Sequence, residues 1–175
     1  MRFLDHTWIW DWCREHGFPL DEPEGPVAPR LAADPTLSHR ERPLHTAASN
    51  EVRARELAGQ LTQALGEWDA CLAWATDWDV WPNEENWPRY YAWRARFGER
   101  RSVGEAPGHL FDGNDRADLT AFLAHVLECG WDVTLLPSKS GSSSGLRVRT
   151  SHDEWIELLS DAPLSASPWP LANER

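Results

Sequence analysis

Lysine is almost missing: of 17 basic residues in the 175-residue chain, only Lys139 is a lysine and the rest are arginines. With plentiful alanine, proline, glycine and tryptophan, that usage points to a GC-rich bacterial coding sequence. Positive charge as a whole is outweighed, because 28 acidic residues leave a net charge of −11. This balance excludes general binding to a nucleic-acid backbone or to an anionic membrane surface, and it favours a basic protein as partner. Arginines still interrupt the carboxylates too often for a mimic of DNA, which needs long acidic arrays.

Cysteine is scarce as well. Cys13, Cys71 and Cys129 are odd in number and far apart, with no C-x-x-C and no histidine at zinc-finger spacing, so the expectation is three reduced, buried thiols. Long apolar runs are missing: nothing approaches the roughly 18 residues that read as a membrane span. At the amino terminus, Asp5 and His6 interrupt what a secretory signal would need, and a cytoplasmic location is expected. Catalytic signatures are missing too. There is no H-E-x-x-H, no H-x-E paired with C-x-x-C, no P-loop and no dinucleotide fingerprint, so neither metal nor cofactor is expected. Ser142, Ser143 and Ser144 read as a hairpin linker, not as a nucleophile.

What the chain has in quantity is tryptophan, and it is unevenly placed. Six of the twelve fall between Trp68 and Trp93, and from Glu56 to Pro88 there are seven carboxylates and no Lys or Arg. The segment Asp77, Trp78, Asp79, Trp81, Glu84, Glu85 alternates indoles with carboxylates, pairing an anchor with electrostatic steering. It is the candidate partner-binding site. A positive segment follows it, with Arg89, Arg94, Arg96, Arg100 and Arg101 opposed only by Glu99. Arg89, Arg96 and Arg100 would share a helix side, and Arg147 and Arg149 share a strand face. Within this positive segment Arg94, Arg96 and Arg100 are the candidate anion-binding residues.

Proline punctuation divides the chain into an aromatic amino-terminal segment (1–17), a Pro-rich tether or wrapping arm (18–48), a main domain (49–161) and an extended tail (162–175). Trp8, Trp10 and Trp12 lie in the first segment, read as a helix stopped by Gly17. Helical periodicity is expected over 51–65 behind Ser49 or Asn50, over an aromatic stripe from Trp87 to Phe97, and over 115–129 ending at Gly130. Strands are expected over 71–75, 106–111, 131–136 and 146–150. Ser151 and Glu154 match a capping box for a last helix over 152–160. The fold class is α+β: one compact domain, a mixed sheet of about four strands with helices mainly on one face, and arms at both ends.

The function these features favour is a non-enzymatic interaction protein that blocks or docks onto a basic partner. It is comparable in kind to immunity and antitoxin proteins, on size, acidity and indole content, with no shared motif. One alternative is an enzyme whose His109, His125 and His152 converge with arginines on a pocket, Cys129 lying one helical turn from His125. Another is a subunit docked into a larger assembly by its aromatic amino-terminal arm.

Overall fold

A computed structural model describes residues 1–21, 30–41, 50–78 and 86–163. In chain order the elements are β1 (Arg2–Leu4), α1 (His6–Glu15), β2 (Leu20–Asp21), β3 (Arg30–Leu31), β4 (His39–Glu41), α2 (Glu51–Ala64) and β5 (Ala70–Asp77). They continue with α3 (Asn86–Arg96), β6 (Gly108–Asp112), α4 (Arg116–Cys129), β7 (Asp132–Lys139), β8 (Ser142–Ser143), β9 (Leu146–Thr150) and β10 (Ile156–Ser160).

The sheet is larger than the sequence led us to expect, with eight strands where about four were expected, and it is antiparallel where a mixed sheet was expected. Its order is β1-β6-β5-β7-β9-β10-β4, with β8 paired to β7, and every described pairing is antiparallel. The extra strands are short. β1, β4 and β8 have two or three residues each, too few to show a period, and they add to elements already formed. A separate two-stranded ladder joins β2 to β3. Pro23, Pro26, Pro29 and Pro43 of the Pro-rich stretch lie outside the described residues.

Along the central strand β5, residues 71 to 75 are all buried, so both faces of the sheet are covered. Cys71, Ala73 and Ala75 face a core built with Leu57 and Leu61 of α2 and with Leu119, Phe122, Leu123 and Val126 of α4. Leu72 and Trp74 point the other way, into a second core with Ile9, Trp12 and Cys13 of α1 and with Phe18. The helices α2, α3 and α4 thus share one face and α1 takes the other. Asn50 caps α2 through its side-chain oxygen, and Gly130 ends α4 in the left-handed conformation with φ 66°. The first helix is capped by Asp5, whose carboxylate accepts from the Trp8 N–H at 3.0 Å. Of its tryptophans, Trp12 is buried and Trp8 remains 64 % exposed.

The helix expected over 152–160 is a hairpin instead. The Asp153 N–H donates to Ser151 Oγ, and Glu154 sits at φ 60°, which no helix permits. Ile156 and Leu158 then face the main core while Glu157 pairs opposite Arg149 in the β9 register.

Close approach of α1 to the sheet sets one requirement. A Cβ on Gly108 of β6 would lie 2.7 Å from Ile9 Cγ1 and 3.0 Å from Leu4 Cβ, both side chains being buried. Gly108→Ala is expected to cost about 1–3 kcal/mol by overpacking. Urea denaturation measures it, and an unchanged midpoint would mean that α1 does not dock on β6 this tightly.

Candidate functional site

The acidic segment expected to bind a partner begins on β5. Asp77 is its last residue, opposite Asp132 of β7 across a register shift between Ala75 and Asp77. Trp78 is half-buried and packs against the main core. Asp79, Trp81, Glu84 and Glu85 lie outside the described residues. What the linear sequence did not reveal is that other carboxylates join Asp77. His152, in the turn before β10, places Nδ1 3.0 Å from Asp132 Oδ1 and Nε2 3.5 Å from Asp153 Oδ1. The hydrogen bond to Asp132 raises the His152 pKa against the opposing effect of burial, and Asp132, Asp153 and Asp77 add attraction. Carboxylates from β5, β7 and the β9–β10 turn therefore meet around one imidazole at one end of the sheet.

The positive segment after it has a different fate. Arg94 is fully buried, and its guanidinium serves the fold itself. Nη1 donates to Tyr90 Oη at 2.6 Å and to the Ala106 carbonyl at 3.2 Å; Nη2 donates to the carbonyls of Arg101 and Ser102 at 3.1 and 3.3 Å. Its Cζ stands 4.4 Å over the Phe3 ring. Arg96 is exposed and lines a cleft with Arg89. Arg100, expected on the same helix side, lies beyond the end of α3, past Gly98 at φ 77°, so helical spacing does not apply to it. The three candidate anion-binding arginines are not brought together. The position of Arg94 could have been read from its spacing of four from Tyr90, on the apolar side of the helix.

Proton positions in the buried network follow from its acceptors. His109 Nδ1 lies 3.0 Å from the Pro107 carbonyl, which can only accept, so Nδ1 carries the hydrogen. Nε2 must then accept from Tyr90 Oη at 2.7 Å, which leaves the tyrosine oxygen free to accept from Arg94. Burial, with Arg94 adding to it, pulls the His109 pKa down to about 3, and burial raises that of Tyr90. The chain Arg94 to Tyr90 to His109 is thus cation, neutral phenol, neutral imidazole.

The three histidines considered together separate into two places. His125 stacks on Tyr90 with ring centroids 5.6 Å apart, so it shares that tyrosine with His109, whereas His152 belongs to the acidic end. His125 Nε2 is 3.6 Å from Cys129 Sγ, and its own pKa is lowered to about 4 by burial and then by Arg89. It opens on the Arg89 and Arg96 cleft, about 360 Å³ in volume, with Tyr90, Trp93 and Phe122 as walls. Gly141 to Gly145 has the spacing of a nucleophile elbow. That motif needs a strand-to-helix turn, and here the flanking elements are the strands β7 and β9. Among the described residues no three His, Cys, Asp or Glu side chains are placed to hold a metal ion, and no helix is long and apolar enough to cross a membrane. No protein-family model matches the chain, and no curated protein or solved structure does.

Proposed function

We propose that this chain is a non-enzymatic interaction protein of the bacterial cytoplasm that docks onto, and blocks, a basic protein partner through the acidic end of its sheet. The observation that carries the reading is the meeting of Asp77, Asp132 and Asp153 at the root of the indole-rich acidic segment. Three elements hold these carboxylates on a rigid frame, so charge is presented without the entropy of a loose acidic tail. Trp78 beside them supplies the apolar anchor. With a net charge of −11 behind it, such a surface steers a basic partner at long range and discriminates by sign. Inhibition of a nuclease-type toxin, as immunity and antitoxin proteins achieve it, is the use that fits.

The test compares the protein with a double charge reversal, Asp77→Arg with Asp153→Arg, in affinity isolation from the native host at low and high salt. A basic protein retained by the wild type at low salt and lost with the variant is expected. Association of that purified protein should slow roughly tenfold or more on charge reversal and should slow further with salt. Equal retention of the partner by wild type and variant would remove the assignment.

A further inference from the structure

A second cavity lies on the opposite face of the sheet from α4, and its chemistry is the reverse of the acidic end. It measures about 490 Å³ and is walled by β5, β7, β9 and β10 below and by the segment from Arg30 to Arg40 above. Among the described residues that line it, four are arginines, Arg30, Arg40, Arg147 and Arg149, and one is a carboxylate, Asp34. In a chain of net charge −11 this concentration of guanidinium groups calls for an account.

Two of the four are served by a close carboxylate, each through one nitrogen only. Glu157, itself buried, accepts from Arg149 Nη1 at 3.3 Å and pairs with Arg40 Nε at 3.1 Å. Arg147 is not. Its side chain is 6 % exposed, and Nη1 donates to the Ala32 carbonyl at 3.2 Å, but Nε and Nη2 have no hydrogen-bond partner among the described residues. The nearest carboxylate oxygen, Asp34 Oδ2, stands 3.8 Å from Nη2, beyond hydrogen-bond reach. Asp34 is also engaged elsewhere: Oδ1 accepts from the Thr36 N–H at 3.0 Å and from Thr36 Oγ1 at 2.6 Å. Burial lowers the Arg147 pKa, with Asp34 opposing, yet an arginine remains a cation at neutral pH. A buried cation with two idle donors in the wall of a cavity is a costly arrangement that an incoming anion would relieve.

We propose that this cavity is a binding site for a phosphorylated small molecule of nucleotide size, its phosphate held by Arg147 and Arg149. Several guanidinium forks around one space suit a phosphate, which offers oxygens in three directions, better than a single carboxylate. The hydroxyl-bearing Thr76 and Thr134 stand on the same floor, and Trp74, Leu37 and Leu159 give an apolar wall for the body of the ligand. The volume lies within the range of small-molecule sites.

Isothermal titration with inorganic phosphate, AMP, ADP and ATP tests the site, with adenosine as the control that lacks phosphate. Saturable one-site binding of at least one phosphorylated probe and none of adenosine are expected. Arg149→Gln, which alters a half-exposed side chain and should leave the fold intact, weakens that binding by roughly tenfold to a hundredfold, and Arg147→Gln does the same. Asp34→Asn strengthens it several-fold, because it removes the carboxylate that faces Arg147 while leaving an acceptor for Thr36. Charge reversal at Asp77 and Asp153 leaves it unchanged, which separates this site from the partner-binding face. Absence of saturable binding by every phosphorylated probe, or equal affinity in wild type and Arg149→Gln, would overturn the proposal.

Discussion

Replacing Arg94 by alanine is expected to destabilise the protein by about 3–5 kcal/mol, the range for removing one partner from a buried charge, here one whose Nη1 and Nη2 are both engaged while Nε is not. The guanidinium ties three parts of the chain together, beside the contacts of Phe3 with Trp93, Phe97 and Arg101. Its acceptors Arg101, Ser102 and Ala106 belong to the connection between α3 and β6, Tyr90 belongs to α3, and Phe3 under its plane belongs to β1. Truncation would leave three carbonyls and a phenol oxygen without their donor and a void as large as the side chain. Arg94→Met fills the void but restores none of the four hydrogen bonds, so it should recover only part of the loss. Arg94→Lys keeps the charge but not the fork, and one ammonium cannot reach both sides of the connection. Tyr90→Phe should cost less, about 1–2 kcal/mol, because it frees one Arg94 donor and one acceptor on His109. Urea denaturation gives these values. Amide exchange over 99–106 should accelerate most in Arg94→Ala, and a loss under 1 kcal/mol would show that water or the carbonyls' neighbours replace the guanidinium.

The helices α2 and α4 were legible because each combines an apolar stripe of period 3.6 with a stop residue, Gly66 or Gly130, and α2 adds a cap at Asn50. Asp115, expected to cap α4, stands at the cap position, but its carboxylate accepts from the Asp112 N–H at 3.0 Å instead. The strand β10 was misread for a physical reason. Ser151 and Glu154 have capping-box spacing, and both faces of the sheet are covered, so Leu158 and Leu159 stand side by side and blur the alternation that marks a strand. Two-residue and three-residue strands such as β4 and β8 carry no period at all.

The candidate site was legible at Asp77 and Trp78, which lie in the acidic run, and not at Asp132 or Asp153, which reach it only through strand register and a hairpin turn. Arg147 and Arg149 were recognisable as sharing a face from their spacing of two. Their cavity was not, because its roof comes from a segment more than a hundred residues earlier in the chain, brought over the sheet by β3 and β4. Residue identity gives the chemistry of a position. Only pairing gives its company.

Acid is expected to unfold this protein earlier than carboxylate titration alone would. His109 and His125 are both held neutral, near pKa 3 and 4, against about 6.5 in an unfolded chain. Their folded pKa values are depressed, so the unfolded state binds protons first. Stability is full above pH 6.5 and falls as pH drops from there toward 4 and 3. Each group contributes about 1.4 kcal/mol per pH unit in that window, so the two together remove about 5 kcal/mol between pH 6.5 and 4.5. That is a large share of a typical domain's stability. The structure explains the resistance to protonation: a proton on His109 Nε2 would oppose the Tyr90 hydroxyl hydrogen and face the Arg94 cation, and His125 lies between Tyr90, Trp131 and Cys129 with Arg89 beyond. Other groups bear on the curve, among them Glu67, Glu105 and Asp115, whose lowered pKa values add stability that is lost only at more acid pH. His152, with its pKa raised by Asp132, adds stability at low pH that is lost as pH rises through its folded value. Glu99, held down to about 2 by Arg101, adds stability lost only below pH 4.5. The net slope between pH 6.5 and 4.5 is therefore set by the two buried histidines. His125→Phe keeps a ring against Tyr90 and Trp131 but cannot titrate, and it should halve the slope of urea stability against pH in this window. A wild-type stability that stays level from pH 7 to 5 would show that neither imidazole is buried neutral.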